Sequence, residues 1–92
     1  MLFIFDLDFT IWDCDGTWCD HTSPPFKKNG SNLIFDSDGR KIKLYPDSLL
    51  ILEKLQKLDI QMAVASRTGE PSWAKQLLQL FELDHFFKYK EI

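Results

Sequence analysis

An apolar run that ends in two closely spaced carboxylates constrains the fold of this chain more than any other feature. Residues 2–5 are continuously apolar, and Asp6 and Asp8 follow directly. Such a run is typical of a strand in a parallel sheet that is covered on both faces. Residues i and i+2 of an extended segment point the same way. Asp6 and Asp8 can therefore converge on the crevice beyond the strand ends, where open α/β sheets bind ligands.

The remaining pattern alternates helix and strand. A turn at residues 46–48 opens a predicted helix, and residues 60–65 indicate a second buried strand. Pro71 suits the first position of a second helix, and residues 86–92 indicate a third strand. This order predicts an α/β fold with a parallel sheet and right-handed connections. Leucines at helical spacing predict the buried face of the first helix: Leu49, Leu52, Leu55 and Leu58.

A polar segment separates the first strand from the first helix. Residues 13–32 are rich in turn-forming residues and predict a loop. The pair Asp38-Gly39 stands between two extended runs, residues 32–37 beginning at Asn32 and residues 40–45, which predicts a hairpin with a tight primed turn. We expect residues 13–45 to form a loop and β-hairpin cap, and residues 1–92 to form a single small domain.

The composition and net charge of the chain limit the kinds of partner that it is expected to bind. The net charge of −3 argues against nucleic acid held through its phosphates. No apolar run approaches the length of a membrane span, and the apolar start is too short for a signal peptide. We expect a soluble cytoplasmic protein that keeps Cys14 and Cys19 reduced. A zinc site built on Cys14, Cys19 and His21 fits no common spacing and would need a further ligand.

Polar residues also follow the second strand, and they complete a phosphoryl-transfer arrangement. Ser66 and Arg67 should lie at the same sheet edge as Asp6 and Asp8. Asp6 would be the nucleophile that forms an aspartyl phosphate. Asp8 would serve as general acid and then as general base. Ser66 and Arg67 would hold phosphoryl oxygens. Mg²⁺ would bind the carboxylates and offset their repulsion of a phosphate dianion.

Each of these residues has a less specific interpretation. Two acids after a strand can simply cap a solvated turn, and the combination with Ser66 and Arg67 is what favours a site. Trp12 could line a substrate pocket, although aromatic residues in a short domain more often belong to the core. Trp18 lies in a polar loop, which leaves pocket and core equally open. We expect structural or exposed roles for His21 and His85.

Beyond these separate motifs, the whole chain resembles the haloacid-dehalogenase (HAD) superfamily and, more closely, the magnesium-dependent phosphatase-1 family. The resemblance implies a Rossmann-like HAD core with a β-hairpin flap. It also implies a Mg²⁺-dependent phosphatase acting on protein phosphotyrosine or small phosphorylated sugars. The segments that carry it are Phe-Asp-Leu-Asp-Phe-Thr-Ile-Trp at 5–12, Pro-Pro-Phe at 24–26, Lys-Leu-Tyr-Pro at 43–46, Ala-Ser-Arg-Thr at 65–68 and residues 76–81.

The resemblance assigns roles residue by residue. It implies that Asp6 is nucleophile and Mg²⁺ ligand, and that Asp8 is acid/base and binds Mg²⁺ through its carbonyl. Ser66 and Arg67 would contact phosphate, and Trp18 matches a substrate-contacting position. The expected partner is a phosphorylated small molecule or phosphoprotein, with no nucleic acid or membrane. We expect the full-length form to be a monomer.

The chain departs from the family pattern at its end. Family members continue past the third strand, where they supply a phosphate-binding Lys and, after a fourth strand beside the first, an acidic Mg²⁺ ligand. We therefore expect a truncated, incomplete HAD core in which residues 2–5 form an exposed edge. The rival hypothesis is a non-catalytic fragment that binds phosphate or a partner chain through this edge.

Overall fold

The computed structural model describes residues 2–30 and 33–92 and shows a mixed α/β fold. None of the helices in these ranges is long and apolar enough to cross a membrane. The strands are β1 Leu2–Phe5, β2 Trp12–Asp13, β3 Lys27–Lys28, β4 Leu33–Phe35, β5 Lys41–Leu44, β6 Gln61–Ala65 and β7 Tyr89–Glu91. The helices are α1 Ser48–Lys57 and α2 Pro71–Leu80, with 3₁₀ turns at Cys19–His21 and Asp84–Phe86.

A parallel sheet of three strands carries the predicted site edge. Its order is β1-β6-β7, with Ile4 opposite Ala63 and Ala63 opposite Tyr89. The connections run through α1 and then α2, so the predicted alternation and the parallel sheet are confirmed. The third strand is shorter than predicted, because Phe86 belongs to a 3₁₀ turn.

Strand β1 is not covered on both faces, contrary to the expectation for a continuously apolar run. β6 is its neighbour on one side, and within the described residues no strand pairs with its other side. The connection from β1 to β6 through α1 and the connection from β6 to β7 through α2 advance in the same direction along the sheet. Right-handed crossovers therefore place both helices on one face of the sheet. Met62 and Val64 are buried on that face, whereas Ile4, on the opposite face, is 64% exposed. β1 thus forms the exposed apolar edge that the resemblance predicts.

A second, antiparallel sheet lies between β1 and α1 in the chain, with the order β2-β5-β4-β3. It contains the predicted hairpin, in which Ile34 pairs with Ile42. Residues 13–32 are not all loop, because Asp13 and the pair Lys27–Lys28 join this sheet. Asn32, expected to begin the hairpin, lies outside the described residues.

The hairpin turn differs from the predicted primed turn. The Gly39 amide donates to the Asp36 carbonyl (3.2 Å), and the Asp36 amide donates to the Arg40 carbonyl (3.1 Å). Of the turn residues, Gly39 alone has a positive φ, of 84°. Both primed turns, type I′ and type II′, need a positive φ at the first central residue, which here would be Asp38. The turn is held instead by the Asp36 carboxylate, whose Oδ1 accepts hydrogen bonds from the amides of Asp38 (3.0 Å) and Arg40 (2.7 Å).

Both helices begin where the sequence predicts, α1 after the turn at residues 46–48 and α2 at Pro71. Asp47 precedes α1 but its side chain makes no capping hydrogen bond. The Ser48 hydroxyl instead donates to the Ile11 carbonyl (2.8 Å), which fixes α1 to the turn after β1. Leu52 is fully buried, as its spacing predicts, but Leu58 is 60% exposed because it follows the last turn of the helix.

Candidate active site

The ends of β1 and β6 meet at one cavity of about 280 Å³. Asp6 and Asp8 follow β1, and Ser66 and Arg67 follow β6. The structure brings all four side chains to this cavity together with Trp18, as the parallel register of β1 and β6 requires. Three further residues line the cavity, and the sequence analysis assigned none of them to the site: Asp20, His21 and Thr68.

Asp6 and Asp8 occupy different environments although only one residue separates them. Asp6 is exposed, and its Oδ1 accepts the amide of Leu7 (2.8 Å). Asp8 is only 9% exposed. Its Oδ1 accepts the indole Nε1–H of Trp12 (3.0 Å) and the amide of Cys19 (3.1 Å).

Burial raises the pKa of Asp8 above its ordinary value of 3.8. The hydrogen bonds from Trp12 and Cys19 favour the carboxylate and act in the opposite sense. The negative charges of Asp20 and Asp6 raise the pKa further. Asp8 therefore holds a proton at a higher pH than a solvated Asp would, as a general acid requires.

A tight turn after β1 produces this arrangement. The Leu7 carbonyl accepts the amides of Thr10 (3.1 Å) and Ile11 (2.8 Å), and Phe9 adopts a left-handed φ of 62°. A non-glycine residue at positive φ is strained by about 1–3 kcal/mol, and such strain is common at functional sites. The turn returns the chain so that Trp12 reaches back to Asp8.

The loop after β6 is tied to the 3₁₀ turn at Cys19–His21. The Gly69 amide donates to Asp20 Oδ2 (3.2 Å). The Cys19 thiol lies 3.3 Å from the Thr68 hydroxyl, while the Cys19 amide binds Asp8. One short turn thus links the residues after β1 to the residues after β6. Its residues show no periodicity or motif, so the sequence alone did not reveal this link.

Aromatic side chains form one rim of the cavity. Trp18 is 55% exposed and packs edge-to-face on Phe9, with ring centroids 5.7 Å apart. It also packs on His21, with ring centroids 5.8 Å apart. Trp12, by contrast, is fully buried and stacks on Phe81. The two tryptophans therefore divide between rim and core.

The donor set suits Mg²⁺ better than zinc. Within the part of the chain that the structure describes, no group of three or more His, Cys, Asp or Glu side chains is arranged to hold a metal. Mg²⁺ typically takes one or two carboxylates and completes its shell with water and substrate phosphate. The carboxylate of Asp6 and the backbone carbonyl of Asp8 fit that requirement. Asp20 Oδ1, also at this cavity, is buried without a hydrogen-bond partner.

The surroundings of the two cysteines are unfavourable for the zinc site that the sequence also disfavours. Both are free and buried. Burial raises the pKa of Cys19 to about 12 and that of Cys14 further, which keeps both as thiols. Zinc binds thiolates, so this environment opposes it.

The fold and the site place this chain among the α/β proteins that carry paired carboxylates at the edge of a parallel sheet. Sequence comparison identifies its family. The profile of the acid phosphatase family matches residues 1–91, and the chain belongs to that family. It is 42% identical over 92 residues to human Magnesium-dependent phosphatase 1, covering 99% of this chain and 51% of the relative. It is 40% identical over 83 residues to a HAD-like hydrolase superfamily protein of Schizosaccharomyces pombe, covering 87% and 46%.

These relationships confirm the resemblance seen in the motifs. The chain spans about half the length of the curated relatives that it matches.

Proposed function

We propose that this chain carries the nucleophile and acid–base part of a Mg²⁺-dependent phosphatase that hydrolyses phosphomonoesters through an aspartyl phosphate. The observation that supports this most is the shared cavity of Asp6, Asp8, Ser66 and Arg67. The acid phosphatase family match and the name of the human relative agree with it. We further propose a Rossmann-like HAD core, with which the name of the HAD-like relative agrees, and a single domain in which residues 13–45 form the cap.

The chain's own residues supply each chemical role. Asp6 is exposed to the cavity, so its carboxylate can attack phosphorus. Asp8 donates its proton to the leaving oxygen and then accepts one from the attacking water. Arg67 offers a planar fork of N–H donors to the phosphoryl oxygens, and Ser66 adds a hydroxyl. The transferred group is thereby held in line with the nucleophile.

The Asp6 carboxylate and Asp8 would hold Mg²⁺ in this arrangement. When bound, the ion supplies positive charge that offsets repulsion between the substrate dianion and the carboxylates. Arg67 contributes the same kind of charge from the neighbouring strand end, and no lysine among the described residues lines the cavity.

The aromatic rim suggests which esters enter. Trp18, which packs on Phe9, presents apolar surface beside the phosphate-binding residues, which suits the ring of a phosphotyrosine or the apolar face of a phosphorylated sugar. Phosphoproteins and small phosphorylated molecules are therefore the proposed substrates, and the full-length form is proposed to act as a monomer.

The proposal is tested by hydrolysis of an aryl phosphate with Asp6→Asn as the matched variant. We expect slow turnover by the 92-residue chain, because Arg67 is the one Lys or Arg among the described residues that lines the cavity, and a single charge-stabilising donor is typically worth about 10²–10³ in rate. The assay therefore uses protein in excess over substrate. Turnover should stop with EDTA, return with Mg²⁺ and be absent in Asp6→Asn. Turnover retained in Asp6→Asn would exclude the covalent mechanism.

A second candidate function is supported by the free edge of β1, whose Leu2, Phe3 and Ile4 side chains are exposed. Such an edge can pair with another chain. A non-catalytic fragment needs no nucleophile, so the native chain and Asp6→Asn would bind a partner chain equally well. Phosphate binding without any Mg²⁺-dependent turnover in the native chain would favour this candidate over the phosphatase.

A further inference from the structure

Trp12 is a core residue with one polar atom, and that atom contacts a proposed catalytic group. Its side chain is fully buried and stacks on Phe81 with ring centroids 6.0 Å apart. Its Nε1–H donates to Asp8 Oδ1 at 3.0 Å. The stacking and the burial fix the ring, so the direction of this N–H is fixed as well. A buried Phe would fill most of the same space without the donor.

The two carboxylate oxygens of Asp8 therefore differ in their hydrogen-bond partners. Oδ1 accepts two N–H donors, from Trp12 and from the Cys19 amide, and the Cys14 sulfur lies 4.0 Å away. Within the described residues, Oδ2 accepts no hydrogen bond, and it is not among the buried unpaired atoms. Oδ2 therefore faces the cavity that Asp8 lines.

We infer that Trp12 is a positioning residue that holds Asp8 by Oδ1, so that Oδ2 carries the proton delivered to the leaving group. This inference rests on the proposed phosphatase function. In the step concerned, an Asp6 oxygen forms a bond to phosphorus while the ester P–O bond breaks. The bonding pair stays on the leaving oxygen, which takes the proton from Oδ2–H and leaves Asp8 as a carboxylate.

A positioning role of Trp12 can be distinguished from a purely structural one by comparing esters whose leaving groups differ in their need for a proton. A good leaving group such as p-nitrophenolate needs little protonation, whereas an alkoxide depends on it. Proton transfer by a positioned acid typically contributes about 10²–10⁴ in rate. Misplacing Oδ2 should therefore slow alkyl phosphates much more than p-nitrophenyl phosphate.

The experiment compares Trp12→Phe with Phe81→Leu on both esters. Trp12→Phe keeps an aromatic ring against Phe81 but removes the N–H. We expect it to lower kcat for an alkyl phosphate about tenfold or more, as a partial loss of general-acid catalysis, with little change for p-nitrophenyl phosphate. Phe81→Leu disturbs the same packing without touching Asp8 and should affect both esters alike. Equal losses on both esters in Trp12→Phe would overturn the inference.

A second measurement does not depend on activity or on the stability of a Trp12 variant. The indole ¹H–¹⁵N resonance of Trp12 should move in Asp8→Asn, because its acceptor changes from a carboxyl to an amide oxygen, while that of Trp73 stays in place. An unmoved Trp12 resonance would overturn the inference by itself. If the native chain hydrolyses neither ester, the proposed function fails together with the catalytic role of Trp12, and the indole measurement still reports the contact.

Discussion

Asp8 shows how the surroundings of one residue can set its chemistry. Its carboxylate is removed from water at the end of a strand, yet one oxygen is held by an indole and a backbone amide. Burial raises its pKa, and the donors on Oδ1 limit the rise. Environments that separate the roles of two nearby carboxylates are a recurring device in catalytic sites. Here Asp6 is exposed and Asp8 is not.

Asp8→Asn should stabilise the chain at pH 7 in the presence of EDTA. The folded-state pKa of Asp8 is raised, so the folded state binds more protons than the unfolded state between pH 3.8 and the raised value. Stability therefore falls as pH rises through that window. The advantage of Asn should shrink as pH falls through it and vanish below 3.8.

Thermal melting at a series of pH values measures this effect. Glu53→Gln is the control, since it removes an exposed carboxylate on α1. A melting temperature of Asp8→Asn that falls below that of the native chain at pH 7 would contradict the assignment of Asp8 as a destabilising buried charge.

Trp18→Ala should alter substrate binding more than stability. The side chain is 55% exposed and its ring packs on Phe9 at the cavity rim, so little core is lost on truncation. We expect KM for an aryl phosphate to rise several-fold, or the preference among esters to change, with a small change in Tm. A Tm lowered by several degrees with unchanged kinetics would place Trp18 in the core instead.

At the scale of elements, both helices end in the same motif without the usual glycine. After α1, the Ile60 amide donates to the Leu55 carbonyl (3.0 Å) and the Asp59 amide to the Gln56 carbonyl (3.1 Å). This is the Schellman pattern, whose pivotal residue adopts a left-handed conformation. Asp59 holds that position with a φ of 58°. Glu82 does the same after α2, with a φ of 59°.

Asp59→Gly should stabilise the chain by about 0.5–1 kcal/mol, because the strain of a left-handed non-glycine residue exceeds the added entropy of the unfolded glycine. Asp59→Ala retains the Cβ and should give no such gain. Glu82→Gly should gain less, since it also removes the ion pair of Glu82 with Lys28 (3.2 Å). Urea unfolding of the three variants measures the differences. An equal gain in Asp59→Ala would show that the Asp59 charge, not the backbone, is responsible.

The whole molecule presents an α/β sheet with helices on one face. Parallel sheets are ordinarily covered on both faces. Here the edge strand β1 and the face that carries Ile4 and Tyr89 are exposed to solvent. Apolar side chains on a free strand edge favour pairing with a second chain. We therefore expect the 92-residue chain to be marginally stable and to self-associate.

Ile4→Lys should reduce that self-association, because it places a charge on the edge strand. Leu50→Lys is the matched control: Leu50 is 67% exposed on α1, away from the sheet edge. Sedimentation velocity over a range of concentrations should show the native chain and Leu50→Lys associating, with Ile4→Lys shifted toward monomer. A native chain that stays monomeric throughout would contradict the expectation.

The sequence by itself determined the parallel sheet, the order of its strands and helices along the chain, and the residues that its strand ends bring together. These features follow from local patterns: the apolar run of residues 2–5, the start of α2 at Pro71, and polar residues directly after β1 and β6. Once two strands are parallel and adjacent, Asp6 and Ser66 must share an edge, whatever the loops between them do.

Tertiary structure alone decided which residues surround that edge. Asp20 reaches the cavity and Cys19 reaches Asp8 because a 3₁₀ turn folds back onto Asp8 and Gly69, and no local pattern encodes that return. The tertiary structure also determines that Trp12 lies in the core and Trp18 on the rim of the cavity. The apolar character of a tryptophan ring does not by itself determine which side chains it packs against. The contacts of each ring depend on the path of the chain between β1 and α1, which is set by long-range packing.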